Sequence, residues 1–139
     1  MATVELSFTP LPAHVRTARL IAAAVARRSG VAESLLDEVR LAVGEACSRA
    51  VEEHQLHCPA EPVRLALSDI AGRFEVEVTD TSGHGTGSRP GGRGGGDGAG
   101  LPAGFGIAVI AGLAEEVEIS ETPTGTSIRM SWPSAGRPG

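Results

Sequence analysis

Leu41-Ala42-Val43-Gly44-Glu45-Ala46-Cys47-Ser48-Arg49-Ala50-Val51-Glu52-Glu53-His54 is the most informative stretch of the chain. Leu35, Val39, Ala42, Ala46 and Ala50 recur at helical spacing, and Leu36, Val43, Cys47 and Val51 widen that line into a broad band. A band so wide belongs to a helix packed between other elements, predicted here over 32–54. An acid, Glu45, stands in its middle, and Arg49 follows four residues later on the same face. Read alone, the two form an ion pair across one turn, worth ~0.3 kcal/mol.

Working outward, Val4, Leu6 and Phe8 alternate with polar neighbours and predict a first strand over 3–8. Pro10 and Pro12 end it and open a helix over 13–29, with Val15, Ala18, Ala22 and Val25 as its stripe and Gly30 as its stop. Beyond Pro59 and Pro62, two strands are predicted over 63–70 and 74–80, joined at Ala71-Gly72 as an antiparallel hairpin. Ten glycines crowd the eighteen positions 83–100, which predicts a mobile loop. Only 39 residues follow it, too few for an independent domain, so it reads as a lid-like insertion at 83–103 rather than a linker. A short helix over 105–113 and strands over 116–120 and 126–132 complete the pattern, with a frayed tail expected over 133–139. The order predicts one α+β domain over 1–132: a two-layer sandwich with helices on one face of a mixed, largely antiparallel sheet.

Composition narrows the function. Twelve basic against seventeen acidic residues give a net charge of -5, which argues against sequence-independent nucleic-acid binding. All twelve basic residues are arginine, a pattern that fits a GC-rich genome such as an actinobacterial one. The absence of lysine excludes a P-loop and Schiff-base chemistry. Cys47 and Cys58 are too few for a disulfide framework or a structural zinc site; Cys47 reads as a small core residue. His14, His54 and His57 show no metal-ligand spacing and read as surface residues. No apolar run is long enough to span a bilayer, so the expectation is a cytoplasmic protein without a membrane partner.

Three further signals are weak one by one. Asp80 ends a strand and enters the Thr81-Ser82-Gly83 turn, where it accepts a bond either from a ligand or from its own backbone. Gly104 and Gly106 precede an apolar helix, whose free amides suit phosphate. Gly125-Thr126 turns into the last strand.

In this order and spacing they resemble, over residues 3–132, the ATP-binding domain of gyrase-type topoisomerases and histidine kinases. The resemblance is strongest to the short bacterial anti-sigma serine kinases. The helix 41–54 resembles that family's N-box, Asp80 with Ser82-Gly83 its adenine box, Gly104-Phe105-Gly106 its second glycine box, and Gly125-Thr126 its terminal Gly-Thr. The resemblance implies ATP or ADP as ligand. Asp80, with the Ser82-Gly83 turn, would accept from the adenine amino group; Gly104 and Gly106 would cradle phosphate; Thr126 would stand near the adenine edge; Glu45 would serve as general base.

The pattern departs from the family in two places. Ser82 replaces a usual glycine, with His84 after it. The asparagine that holds Mg²⁺ in the N-box is Arg49, and a guanidinium cannot ligate a cation; it can pair with phosphate oxygens or neutralise Glu45. This argues against Mg²⁺-dependent phosphoryl transfer. The resemblance thus implies an anti-sigma-factor-like regulator that binds a STAS-domain antagonist, a sigma factor or both, with kinase activity weak or lost, and a homodimer as its assembly. The alternatives are an active serine kinase acting on the antagonist and a nucleotide or small-ligand sensor without catalysis.

Overall fold

The computed structural model describes residues 2–82 and 103–135. The glycine-rich stretch read as a mobile lid lies outside them, as do Gly83 and the last four residues. The elements are β1 (Ala2–Phe8), α1 (Pro12–Ser29), a single 3₁₀ turn (Glu33–Leu35), α2 (Leu36–His57), β2 (Val63–Ile70), β3 (Arg73–Asp80), α3 (Ala103–Leu113), β4 (Glu116–Thr122) and β5 (Gly125–Pro133).

Five strands form one sheet in the order β1-β2-β3-β5-β4, and every neighbouring pair is antiparallel, so the sheet is not mixed. Strand alternation sorts its two faces. Leu65, Leu67, Phe74, Val76, Val78, Ile128, Met130 and Trp132 are buried on the helix-covered face. The open face carries the alternate positions, among them Glu75, Glu77 and Arg129, where Arg129 pairs with Glu118 and Ser127 with Glu77.

The helices form the second layer. Pro12 starts α1 where an amide would lack a partner, and Gly30, at φ 94°, ends it; the Gly30 and Val31 amides close back on the Arg27 and Ala26 carbonyls. α1 and α2 pack closely, with Ala18, Ala22 and Ala26 buried on α1 and Gly44 buried on α2. Gly44 is part of this fit, since a Cβ there would lie 2.4 Å from Cδ of Arg19. Cys47 is fully buried, and burial pushes its thiol up to about 12, as befits a core residue.

Several boundaries differ from the sequence expectation. α2 starts at Leu36, because residues 33–35 take a tighter turn first, and it runs on to His57, with the Cys58 amide still bonding the His54 carbonyl at 2.8 Å before Pro59. α3 starts at Ala103, so Gly104 and Gly106 lie inside its first turns rather than before it. The tail is not frayed at its start: β5 continues to Pro133, and the Ser134 and Ala135 amides bond the carbonyls of Gly72 and Gly30.

Ala71 and Gly72 both take positive φ, 54° and 77°, the two-residue hairpin geometry that favours Asn-Gly. Alanine is strained there while asparagine is not. Ala71→Asn is expected to stabilise the fold by about 0.5–1 kcal/mol, read as a higher urea midpoint at unchanged slope.

Candidate functional site

Asp80 is the last residue of β3 and lies, with Phe74, Val76 and Val78, on the face that α2 covers. Its side chain is 1% exposed. A carboxylate buried this far is costly unless it is paired and hydrogen-bonded. Four internal donors meet it. Arg49 Nη1 on α2 donates to Oδ2 at 2.9 Å. The Ser82 amide and hydroxyl donate to Oδ1 at 3.2 and 3.0 Å, and the Thr126 amide donates to the same oxygen at 3.3 Å. Asp80 thus binds its own turn to two distant elements, α2 and β5.

The expected Arg49–Glu45 pair is absent. Arg49, with a side chain 17% exposed, pairs with Asp80 instead. The fully buried carboxylate sits in the lower effective dielectric and draws the cation more strongly than half-buried Glu45 does. Glu45 has neither a hydrogen bond nor an ion pair among the described residues.

Gly125 sets the other wall. It is buried at φ 153°, and a Cβ would lie 1.9 Å from the Asp80 carbonyl oxygen. Only glycine lets β5 start so close to the end of β3, and that approach delivers the Thr126 amide to Oδ1. Gly104 and Gly106 lie at the start of α3, which packs against α2; Gly83 is outside the described residues.

His54 corrects the surface reading. It is 0% exposed and braces the same turn: the Thr81 amide donates to its Nε2 at 2.9 Å, and its Nδ1 meets the Glu61 carbonyl at 2.8 Å. Its position was legible, since it continues the Cys47, Ala50, Val51 stripe by one turn. His14 is half-buried on the Thr9 carbonyl, and His57 is exposed, 3.9 Å from Glu53. Cys58, read only as one of two cysteines without a framework, lies beside this turn. Its Sγ lies 3.7 Å from the Thr81 carbonyl, and burial, followed by the charges of Glu61, Asp80 and Glu53, pushes its thiol up.

Arg49 alone meets Oδ2, while the other three donors share Oδ1. A base amino group that reads Asp80 has to share Oδ2 with the guanidinium or displace it.

The chain belongs to the Histidine kinase-like ATPase domain family, whose sequence profile matches residues 8–132. Family membership implies a nucleotide site. No curated protein sequence matches the chain. Among solved structures, the RsbU and RsbW domains of Rv1364c from Mycobacterium tuberculosis share the fold, with a TM-score of 0.66 at 18% identity over 100% of this chain. This chain spans 34% of that one. The histidine kinase domain of the E. coli osmosensor EnvZ matches 72% of this chain and 68% of its own at 18% identity and a TM-score of 0.46.

Removing Arg49 leaves a buried charge without its cation. Arg49→Met is expected to cost about 3 kcal/mol in urea unfolding. Adding Asp80→Asn should recover part of that loss, and a coupling energy of about 1 kcal/mol or more in the double-mutant cycle marks the pair as direct.

Proposed function

We propose that the chain is an anti-sigma-factor-like regulator of bacterial transcription that works by binding a STAS-domain antagonist, a sigma factor or both, with kinase chemistry weak or lost. The observation that carries this reading is the Arg49–Asp80 ion pair. The residue standing where the family's metal-binding asparagine belongs is a cation, and it lies against the carboxylate expected to receive the base. Phosphoryl transfer depends on a metal ion that bridges phosphates and offsets developing charge. An arginine has no lone pair to hold one. Binding a protein needs only the fold and a surface, and both survive this substitution.

One observation favours the alternative of an active serine kinase: Glu45 has no partner among the described residues, so a group able to accept a proton is available one turn from Arg49. The alternatives separate cleanly. On the regulator reading, wild-type protein with labelled ATP, Mg²⁺ and a STAS-domain antagonist transfers little or no phosphate. Robust transfer that Glu45→Ala abolishes establishes the kinase. A ligand at 100 times its Kd stabilises its receptor by ~2.7 kcal/mol, so a nucleotide-dependent shift without transfer selects the sensor. Arg49→Asn is expected to gain a Mg²⁺-dependent nucleotide shift that the wild type lacks, each variant measured against its own unliganded form.

For the partner surface, we propose the outward side of α1. Arg16, Arg27 and Arg28 are exposed on it, and Arg27 pairs with Glu33 at 3.2 Å. On a chain of net charge -5, this local positive field steers acidic partners. Arg16→Glu with Arg28→Glu is expected to weaken partner capture by about tenfold at low salt, chiefly through the association rate. Unchanged affinity assigns the surface elsewhere.

A further inference from the structure

We propose that His54 is a positioning residue for the Asp80 turn and that it works as a proton-operated latch: neutral, it holds Thr81 in place; protonated, it releases the turn. This stands on the hydrogen bonds of the turn and is independent of whether the site takes a nucleotide.

The tautomer follows from the partners. The Thr81 amide can only donate, so Nε2 accepts, and Nδ1 must carry the proton that goes to the Glu61 carbonyl. Both ring nitrogens are thereby used, and the ring is fully buried. One side chain joins α2, the α2–β2 loop and the turn after β3. A second proton on the ring would place an N–H against the Thr81 N–H, donor facing donor. The Glu61 bond survives that change, while the Thr81 bond does not. Protonation therefore acts selectively on the turn side of the ring.

What remains to hold the turn is small. Among the described residues, the Thr81 carbonyl meets only the long thiol contact from Cys58, and Thr81 Oγ1 is buried without a hydrogen-bond partner. Ser82 is tied to Asp80, but that bond lies within the turn and moves with it. Thr81 is thus the point at which the turn is fastened to the helical layer, apart from the Arg49–Asp80 pair itself.

Charged and titratable groups near the ring come from each neighbouring element. α2 contributes Arg49, Glu53 and His57, the last two paired with each other; the α2–β2 loop contributes Cys58 and Glu61; β3 contributes Asp80, already satisfied by its four donors. α3 has no ionisable side chain, and His14 on α1 is bonded to Thr9. Among the described residues none of these side chains is hydrogen-bonded to the ring, so an imidazolium keeps the Glu61 carbonyl bond and loses the Thr81 one. The sign is fixed: the neutral ring holds the turn and the doubly protonated ring lets it go.

The test uses the whole wild-type protein, uniformly labelled with ¹⁵N, between pH 7.5 and 5. Ring nitrogen shifts of the four histidines are recorded together with amide exchange, expressed as protection factors so that the chemical pH dependence of exchange cancels. At pH 7.5, His54 is expected to show the Nδ1–H tautomer, with the Thr81 amide protected. As its ring becomes doubly protonated, Thr81 protection is expected to fall by about tenfold or more, while sheet amides such as that of Leu67 keep theirs. His54→Gln, which keeps a donor and an acceptor but does not titrate, should make Thr81 protection independent of pH. An Nε2–H tautomer at pH 7.5 overturns the proposal. So does Thr81 protection that persists after the ring is charged, or a ring that stays neutral until circular dichroism shows the whole fold melting. The wild-type pH profile decides the matter even if His54→Gln fails to fold.

Discussion

A single buried carboxylate organises one end of this domain. Asp80 is driven inward by the alternation of β3, the same alternation that buries Phe74, Val76 and Val78. Once inside it must be neutralised or hydrogen-bonded. Arg49 supplies the charge, and the backbone of Ser82 and Thr126 supplies the rest. α2, β3 and β5 therefore cannot shift independently at this point. The Gly125 close approach and the His54 brace belong to the same requirement, since each brings a donor or a strut to the turn that Asp80 terminates.

This arrangement changes what membership of an ATPase fold family means for the chain. The scaffold is that of a nucleotide site, yet the buried carboxylate of Asp80 is already paired with Arg49. A buried ion pair of this sort contributes less to net stability than its geometry suggests, because both groups were well solvated in the unfolded chain. On the proposed reading its stronger effect is on specificity: a ligand that takes the Asp80 oxygen held by Arg49 has to displace a cation and leave it another anion.

Much of the fold was legible in the sequence because its elements are bounded by strong punctuation. Pro12, Gly30 and Pro59 bracket the helices, and the β2–β3 alternation is clean. Boundaries were less legible where tertiary bonds extend an element, as at Pro133, whose strand is prolonged by pairing with β3. The site was legible in outline only. Asp80, Ser82 and Thr126 were picked out and lie together, but the partner of Arg49 was misjudged. Spacing along one helix speaks for Glu45, whereas a carboxylate 31 residues away prevails because it is buried. Periodicity places His54 on the apolar stripe, but a polar residue on such a stripe is easily read as a surface residue when its two partners come from loops with no pattern of their own.

The stitching of Ser134 to Gly72 and of Ala135 to Gly30 has a practical side. It holds the chain, at its last described residue, between the β2–β3 hairpin and the end of α1. That is the Arg73 end of β3, and Asp80 stands at the opposite end of the same strand, about 23 Å away at the usual rise per residue. A tag, a fluorophore or a further domain attached after Ala135 departs from the pole remote from the Arg49–Asp80 pair. Surface tethering through that end keeps the Arg49–Asp80 pair away from the support, which suits the domain to single-molecule attachment.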